Sequence, residues 1–240
     1  MQKIWVCGAR GQIGQAVNDV VDKLEFEMLD TDVDDLDVTD TDEVLRFGEM
    51  NRPDIIINCS GMTDISSCEE NPSQAFKVNA LGARNLAIVA AKMQAKMVQL
   101  STDDVFDGKS TEPYTEFDIT NPGTVYGKSK LAGENYVKEF TTKHFIVRST
   151  WVYGKGQNFI NGFLKKVDAG EQLSIASDQF GSPTSANELA RFLLHLVHTS
   201  EYGTYHATNK GVCSRYAFAQ EILKMTGKTA SMQPVPTVMS

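Results

Sequence analysis

The chain alternates short apolar runs with longer segments in which apolar residues recur every three or four positions. The apolar runs predict strands at "KIWVCG", "EFEMLD", "DIIINCSG", "KMVQLST" and "HFIVRST". The helical period predicts helices from about Gln12, from Asp42 to Met50, through "SQAFKVNALGARNLAIVAAKM" and around Tyr126. This βαβαβαβ order is typical of a parallel sheet with helices on both faces, and continuous apolar strands indicate burial on both sides.

After Trp151 the pattern becomes less regular. It predicts a helix near Asn158 to Asp168, the strand "QLSIA", the loop "SDQFGSPTS", the helix "ANELARFLLHLVH", the strand "GTYHAT" and the helix "SRYAFAQEILKM". We therefore expect an α/β protein with a Rossmann-like, doubly wound parallel sheet in residues 1–150 and a smaller C-terminal substrate lobe in residues 151–240. The lobe should pack at the carboxyl edge of the sheet, where ligands bind in such folds.

Composition narrows the class of protein. The 240 residues are 41% hydrophobic and 22% charged, with no apolar run approaching the roughly 18 residues of a membrane span and no signal-peptide pattern. We expect a cytoplasmic protein without a membrane partner. The net charge of -8 argues against a nucleic-acid partner. The cysteines lack C-x-x-C spacing and the histidines lack H-E-x-x-H, so we expect reduced thiols and no metal.

A glycine-rich loop, "GARGQIG", follows the first strand and places Gly8, Gly11 and Gly14 three residues apart. Glycine permits a tight turn and lets backbone N–H groups approach a pyrophosphate. The following helix presents its positive N-terminal end to the same group. This strand, loop and helix order predicts a dinucleotide cofactor.

An acidic residue, Asp30, ends the second predicted strand, 22 residues after Gly8. At about this offset, an acid binds the adenosine ribose hydroxyls in dinucleotide sites, which favours NAD. Arg10 lies inside the glycine loop and could contact a 2′-phosphate instead. Both NADPH and NADH therefore stay open as cofactors.

The segment "NPGTVYGKSKLAGE" places Tyr126 and Lys130 four residues apart, on the same side of the predicted helix. Reduction of a carbonyl needs a proton for the developing alkoxide, which a tyrosine can donate. We expect Lys130 to lower the phenol pKa from about 10 by roughly 1 to 3 units. The fourth strand ends at Ser101 and Thr102, which offer a hydroxyl to orient the carbonyl.

Several motifs together resemble the extended short-chain dehydrogenase/reductases, and within them the dTDP-4-dehydrorhamnose reductases. They are the glycine loop, "NCSGMTDISSCEENPSQAFKVNALGARNLA", "STDDVFDG", "NPGTVYGKSKLAGE", "RSTWVYG", "DQFGSPT" and "GTYHATNKG". The resemblance runs from about Lys3 to Pro236, and "STDDVF", "KLAGE" and "WVYG" are its most selective parts. It implies reduction of the C4 ketone of a nucleotide-linked 6-deoxy sugar by NADPH or NADH.

The resemblance also implies roles for individual residues. The implied catalytic residues are Thr102, Tyr126 and Lys130. Tyr126 and Lys130 are also implied to contact the cofactor, together with Gly8, Arg10, Gly11, Gln12, Ile13, Asp30, Asp37, Val38, Ser60, Gly61 and Asn79. Asn79 would support the lysine or a proton relay. The implied substrate-binding residues are Thr63, Ile65, Asp103 and Trp151. From sequence alone, Trp151 can equally be a core aromatic.

Three positions depart from the family pattern. Asp104 stands where tyrosine is usual in "STDYVF", which removes one expected substrate contact. Ala16 stands where some members use glutamate for magnesium-linked dimerisation, so we expect no metal and a monomer or weak homodimer. The chain ends at "PVPTVMS", earlier than such reductases usually end, so we expect a lobe truncated at its C-terminal end.

Two alternatives remain open. The same catalytic trio serves any oxidation or reduction at C4, so the protein could be another nucleotide-sugar 4-reductase or an epimerase. A regulatory subunit that binds the cofactor without catalysis, like that of methionine adenosyltransferase, shares this fold. The intact Thr102, Tyr126 and Lys130 favour an enzyme.

Overall fold

A six-stranded parallel sheet forms the centre of the protein in the computed structural model, which describes residues 1–237. Its strands, in spatial order, are β10 (Gly203–His206), β5 (His144–Ser149), β4 (Lys96–Thr102), β3 (Ile55–Asn58), β1 (Gln2–Cys7) and β2 (Phe26–Thr31). Every neighbouring pair is parallel, which confirms the predicted α/β class. The strand order reverses between β1 and β3, which is where ligands bind in doubly wound folds.

Helices cover both faces of this sheet. The helices of the described chain are α1 (Gln12–Val20), α2 (Thr41–Asn51), α3 (Ile65–Glu70), α4 (Pro72–Phe76), α5 (Ala83–Met93), α6 (Val125–Phe140), α7 (Phe159–Asp168), α8 (Ala186–Val197) and α9 (Arg215–Thr226). Side chains alternate along β1, so Ile4 and Val6 pack on the face of α1 and α8, whereas Trp5 faces the cluster of α2 and α5. Both faces are therefore buried, as the continuous apolar strands predicted.

Two elements from residues 151–240 belong to the sheet layer. Helix α8 packs on α1, and Leu189 and Leu193 lie in the same core cluster as the sheet residues. Strand β10 pairs with β5 in parallel, with Tyr205 opposite Val147. Their expected placement in the smaller lobe is wrong, because a local pattern carries no record of which layer an element joins. The division at residue 150 as a domain boundary stays a prediction.

The smaller lobe contains α7, α9 and short strands. Strand β7 (Leu173–Ala176) pairs in parallel with β12 (Met232–Val235), and a cluster of Phe163, Leu173, Ala219 and Ile222 forms a separate core. The predicted loop "SDQFGSPTS" contains two further short strands, β8 (Phe180–Gly181) and β9 (Thr184–Ser185). Strand β8 pairs with β11 (Cys213–Ser214), and β9 pairs with β6 (Val152–Tyr153). Within residues 1–237, no helix is long and apolar enough to cross a membrane.

The long predicted helix before "KMVQLST" contains a π-helical segment. Between α4 and α5, residues Lys77–Gly82 adopt the wider π geometry. Such segments are rare and are frequent at functional sites. This one carries Asn79, which is buried and faces the catalytic helix.

A buried ion pair joins α6 to the sheet. The Glu134 carboxylate is fully buried, and it accepts hydrogen bonds from Arg148 Nε at 2.9 Å and Arg148 Nη2 at 2.7 Å. Ser101 Oγ donates to the same carboxylate at 2.6 Å. Residues of β4, β5 and α6 therefore meet in one hydrogen-bonded ion pair. Removal of one charged partner would leave the other charge buried and unpaired.

We expect Glu134→Ala to lower the free energy of unfolding by about 3–5 kcal/mol, because Arg148 would lose its buried counter-ion. Urea unfolding of the variant and the parent measures this difference. Lys138→Ala is the matched control, since Lys138 Nζ lies 3.7 Å from the same carboxylate but is exposed to solvent. That change should cost less than about 1 kcal/mol, and an equal cost for both variants would contradict the assignment.

Candidate active site

The glycine loop closes tightly at the switch point of the sheet. Gly8 has φ of 75°, and a Cβ there would lie 2.8 Å from Ser60 N. A Cβ on Gly14 would lie 2.3 Å from Gly8 O, so the start of α1 packs directly on the loop. No side chain caps the N-terminus of α1, which leaves its N–H groups available to an anion. These are the features that a pyrophosphate cradle needs.

A cavity of about 580 Å³ opens beside this loop. Seven predicted cofactor residues line it, namely Gly8, Arg10, Gly11, Asp37, Val38, Ser60 and Gly61. Eight lining residues were missed from the sequence, namely Thr31, Asp32, Val33, Leu36, Cys59, Met62, Gln74 and Val78. Most of the missed residues carry no motif, and they come together only because the loops after β2 and β3 meet here.

Gln12, Ile13 and Asp30 do not line this cavity. Gln12 Nε2 donates to Val152 O at 3.0 Å, and Ile13 packs against the core. Asp30 lies beside α1, where it accepts a hydrogen bond from Asn18 Nδ2 at 3.0 Å. Asp30 therefore lies outside the cavity lining, and its role in cofactor binding stays a prediction.

Two acids line the cavity, the predicted Asp37 and also Asp32, which comes directly after β2. Its Oδ2 accepts a hydrogen bond from Arg10 N at 2.8 Å. The 22-residue offset selected Asp30, and its assignment to the ribose stays a prediction. The offset did not distinguish between two aspartates on either side of the strand end, because their positions depend on the turn.

Helix α6 carries Tyr126 and Lys130 to the carboxyl edge of the sheet. Thr124 caps the helix, and its Oγ1 accepts from Gly127 N at 3.0 Å. A Cβ on Gly127 would lie 2.0 Å from Asp104 O, so glycine is needed for the helix to approach the end of β4. This approach places the Tyr126 phenol beside Thr102, whose hydroxyl group acts on the phenol pKa. The predicted catalytic hydroxyls therefore meet.

The Tyr126 pKa is raised above its ordinary value, contrary to the sequence prediction. Burial is the main cause, and the charges of Asp104, Asp103 and Cys68 add to it, while the hydrogen bond with Thr102 opposes it. The phenol therefore keeps its proton at neutral pH. A proton donor in ketone reduction must start in this state.

Lys130 is buried on the same helix, and burial lowers its pKa to about 8, although Glu134 and Cys59 oppose this shift. Its ammonium group therefore remains mostly charged at neutral pH. A Cβ on Gly61 would lie 3.7 Å from Lys130 Nζ, so the absence of a side chain at Gly61 keeps the space beside the ammonium group open.

Asn79 holds the loop at Met62 against α6. Its Oδ1 accepts from Met62 N at 2.8 Å, and its Nδ2 donates to Met62 O and to Ser129 Oγ, both at 2.9 Å. None of these bonds goes to Lys130. Asn79 therefore acts as a positioning residue between the cavity wall and the catalytic helix.

The predicted substrate residues lie around the outer part of the cleft. Asp103 Oδ2 accepts from Thr150 Oγ1 at 2.5 Å and its Oδ1 accepts from Thr102 Oγ1 at 3.2 Å, which ties together the ends of β4 and β5. Thr63 and Ile65 are exposed near the loop after β3. Asp103 is open to the cleft, but the surrounding protein raises its pKa, mainly by desolvation.

Trp151 is held by the smaller lobe. Its φ is 44°, and Arg215 Cζ lies 3.6 Å from the centre of its ring, which is a cation–π contact. Gly181 lies against the ring, since a Cβ there would be 2.6 Å from Trp151 Cε2. Arg215 was missed by the sequence analysis, because it reaches the site from a distant helix and carries no motif.

Asp104 introduces a second carboxylate beside Tyr126. Desolvation raises its pKa to about 6, the charge of Asp103 adds to the shift, and Arg215 opposes it. The four cysteines are free thiols, and Cys7 and Cys68 are buried. In the described part of the chain, no group of three or more histidine, cysteine, aspartate or glutamate side chains could hold a metal ion.

The chain is similar in sequence and in structure to known proteins. The sequence matches the family described as the RmlD substrate binding domain over residues 1–239. The spore coat polysaccharide biosynthesis protein SpsK of Bacillus subtilis is 35% identical over 238 residues, which cover 99% of this chain and 84% of SpsK.

Two crystal structures show closely similar folds. A dTDP-4-dehydrorhamnose reductase from Clostridium acetobutylicum is 43% identical, with a TM-score of 0.96 and coverage of 98% of this chain and 84% of that one. The dTDP-4-dehydrorhamnose reductase of Bacillus anthracis, solved in complex with NADP, is 38% identical, with a TM-score of 0.96 and coverage of 99% and 85%.

We expect Asp104→Asn to raise the melting temperature at pH 7.5, because the variant no longer buries a poorly solvated negative charge in the folded state. The folded pKa of about 6 exceeds the unfolded value, so the penalty is complete above pH 6 and disappears below about pH 4. After allowance for partial solvation, the gain is on the order of 1 kcal/mol, or about 2–4 °C.

Asp107→Asn is the control for this prediction. Hydrogen bonds from Tyr114, Lys109 and Asn121 lower the Asp107 pKa, so its neutralisation should reduce stability at pH 7.5. Thermal unfolding of both variants between pH 4 and 8 checks the opposite signs. A shift of the same sign in the two variants would contradict the electrostatic account of Asp104.

Proposed function

This chain belongs to the RmlD substrate-binding domain family, that of the dTDP-4-dehydrorhamnose reductases, and we propose that it reduces the C4 ketone of dTDP-4-dehydro-L-rhamnose to give dTDP-L-rhamnose. NADPH or NADH serves as the cofactor. The observation that carries the proposal is the contact between Tyr126 and Thr102, with Lys130 on the same helix and a glycine-lined cavity adjacent.

The residues present fit a dinucleotide. A side chain at Gly8 would collide with the backbone of Cys59 and Ser60, and one at Gly14 with the backbone of the glycine loop, so the tight loop requires both glycines. The uncapped start of α1 offers N–H groups to a pyrophosphate. Lys130 Nζ lies beside Gly61, which lines the cavity, and we assign it to the nicotinamide ribose. When bound, the cofactor supplies the hydride that adds to the ketone carbon.

The chain itself supplies the proton. As charge develops on the C4 oxygen, the Tyr126 phenol transfers its proton to that oxygen, and Thr102 holds the oxygen in line by a hydrogen bond. The Lys130 ammonium group offsets the charge left on the tyrosinate. The raised Tyr126 pKa favours the protonated starting state, so the site is suited to reduction.

Asp103 and Trp151 support the substrate side of the proposal. Asp103 is fixed by Thr150 and Thr102, so it presents a rigid acceptor for a sugar hydroxyl. Trp151 and Arg215 form an aromatic and cationic surface next to it. Such a surface fits a nucleotide-linked sugar, because it can contact both a planar base and a diphosphate. We also assign Thr63 and Ile65, which are exposed near the loop after β3, to the substrate site.

The direct test supplies the 240-residue protein with dTDP-4-dehydro-L-rhamnose and either reduced cofactor, and follows the loss of nicotinamide absorbance. Cofactor consumption equal to the sugar reduced is the expected result. An epimerase would change the sugar while its cofactor is regenerated, so absorbance would not fall. A regulatory subunit would bind the cofactor without turnover, and either result would overturn the proposal.

Tyr126→Phe should lower kcat by about 10²-fold or more, because the proton donor is removed while the ring remains. Cofactor affinity should change little. Tyr136→Phe, on the same helix, is the matched control and should keep the parent kcat. The assignment of Tyr126 fails if the Tyr126→Phe variant retains near-parent turnover in the same absorbance assay.

We also propose a cytoplasmic location and a monomer or weak homodimer. The four free thiols support a reducing compartment. Ala16 is buried in the core between α1 and the sheet, so this position offers no carboxylate for metal-linked dimerisation.

A further inference from the structure

The backbone at the start of the catalytic helix is held by a carboxylate from another helix. Helix α6 begins at Val125, and Val125 N donates to Glu69 Oε1 at 2.7 Å. Glu69 lies on α3, 56 residues earlier in the chain. The first N–H groups of a helix have no partner within it, and the helix dipole favours a negative acceptor there. Because Tyr126 follows Val125 directly, this bond fixes the backbone beside the proposed proton donor.

A second contact holds Tyr126 from within the core. Ser129 Oγ donates to Tyr126 O at 2.8 Å, and it accepts from Asn79 Nδ2 at 2.9 Å. Ser129 and Asn79 are buried, whereas Glu69 is exposed. Tyr126 is therefore flanked by two bonds to other segments, and only the one made by Glu69 can be removed without loss of core packing.

Helix α3 is itself fixed to the wall of the cofactor cavity. Met62 lines the cavity, and its carbonyl oxygen accepts from Cys68 Sγ at 3.5 Å. Asp64 caps the helix, with its Oδ1 accepting from Ser67 N at 2.8 Å. Helix α3 also packs on α6. The Glu69 carboxylate thus extends from an element whose own position is set by the cavity wall.

We propose that Glu69 is a positioning residue, which places the Tyr126 phenol for proton transfer by holding Val125 N. The inference rests on the proposed function, in which Tyr126 gives its proton to the ketone oxygen. Proton transfer needs the donor within hydrogen-bond reach of that oxygen, and a small displacement of a reacting group lowers the rate by a large factor. Without the Glu69 acceptor, the first turn of α6 is free to fray.

Glu69→Ala should lower kcat about tenfold and leave the KM of the cofactor unchanged, because Tyr126 moves while the cavity stays intact. Alanine favours helix and Glu69 is exposed, so the melting temperature should stay at the parent value. Glu70→Ala is the matched control. It removes the neighbouring exposed carboxylate of α3, leaves the bond to Val125 in place and should keep the parent kcat.

Two further variants separate the hydrogen bond from the charge. Glu69→Gln keeps an acceptor oxygen at the same distance along the side chain, so kcat should stay within about threefold of the parent value. Glu69→Asp keeps the charge on a shorter side chain, so it should lose activity as Glu69→Ala does. The reverse order, with an active Asp variant and an impaired Gln variant, would overturn the inference, because Glu69 would then act by its charge.

The same change in the Tyr126→Phe protein tests whether Glu69 acts through Tyr126. The proton donor is already absent there, so Glu69→Ala should lower kcat no further. An equal loss in the parent and in the Tyr126→Phe protein would show an effect independent of Tyr126, and the positioning role would be wrong.

A spectroscopic readout tests the inference without turnover. In protein with tyrosine isotopically labelled at Cζ, the Tyr126 nuclear magnetic resonance signal is the one that disappears in Tyr126→Phe. This signal should shift in Glu69→Ala and keep its parent position in Glu69→Gln and Glu70→Ala, because only the first change releases Val125 N. An unchanged signal in Glu69→Ala would overturn the inference.

The inference and the proposed function can fail separately. A protein that reduces the sugar with parent kcat in Glu69→Ala would overturn only the positioning role. A protein that leaves the sugar unreduced, but whose Tyr126 signal shifts in Glu69→Ala alone, would overturn only the proposed function.

Discussion

The charge of Glu134 is neutralised inside the protein by Arg148, and the position of the whole catalytic helix depends on this contact. Any slide or rotation of α6 against β5 would separate two buried charges, at a cost of several kcal/mol. Glu134 lies one helical turn beyond Lys130, so the same contact fixes the ammonium group. Its charge also favours protonated Lys130 and counteracts the effect of burial. One carboxylate therefore contributes both to the packing of α6 and to the charge of Lys130.

Two glycines let α6 come close enough for this arrangement. A Cβ on Gly133 would lie 2.3 Å from Asn79 O, and a Cβ on Gly127 would lie 2.0 Å from Asp104 O. Backbone carbonyl groups of two neighbouring segments therefore touch the helix directly. Since Asn79 also binds Ser129, the helix is held along its length on the side opposite to the solvent. Tyr126 and Lys130 consequently lie on a rigid element, which catalysis requires.

Local patterns predicted the parts of the fold that local chemistry decides. Apolar runs located the first five strands of the sheet, and the glycine spacing located the cofactor loop, because each signal lies within a few residues. The failures concern contacts between distant segments. Burial of the Tyr126 phenol between distant segments reversed the expected pKa shift, and the charges of Asp104, Asp103 and Cys68 added to it. The choice between Asp30 and Asp32, the sheet position of β10 and the approach of Arg215 also depend on how distant segments pack.

The π-helical segment Lys77–Gly82 makes the site sensitive to the number of residues as well as to their identity. A π turn accommodates one more residue than an α turn, and each residue of an α-helix advances about 100° around the axis. Deletion of one residue from this segment would let it close as a regular α turn, and the helix on either side would keep its orientation, because the π turn is what absorbs the extra residue. The local widening that carries Asn79 towards Met62 and Ser129 would be lost. A single-codon deletion would thus regularise the helix while weakening the link between the cofactor wall and the catalytic helix.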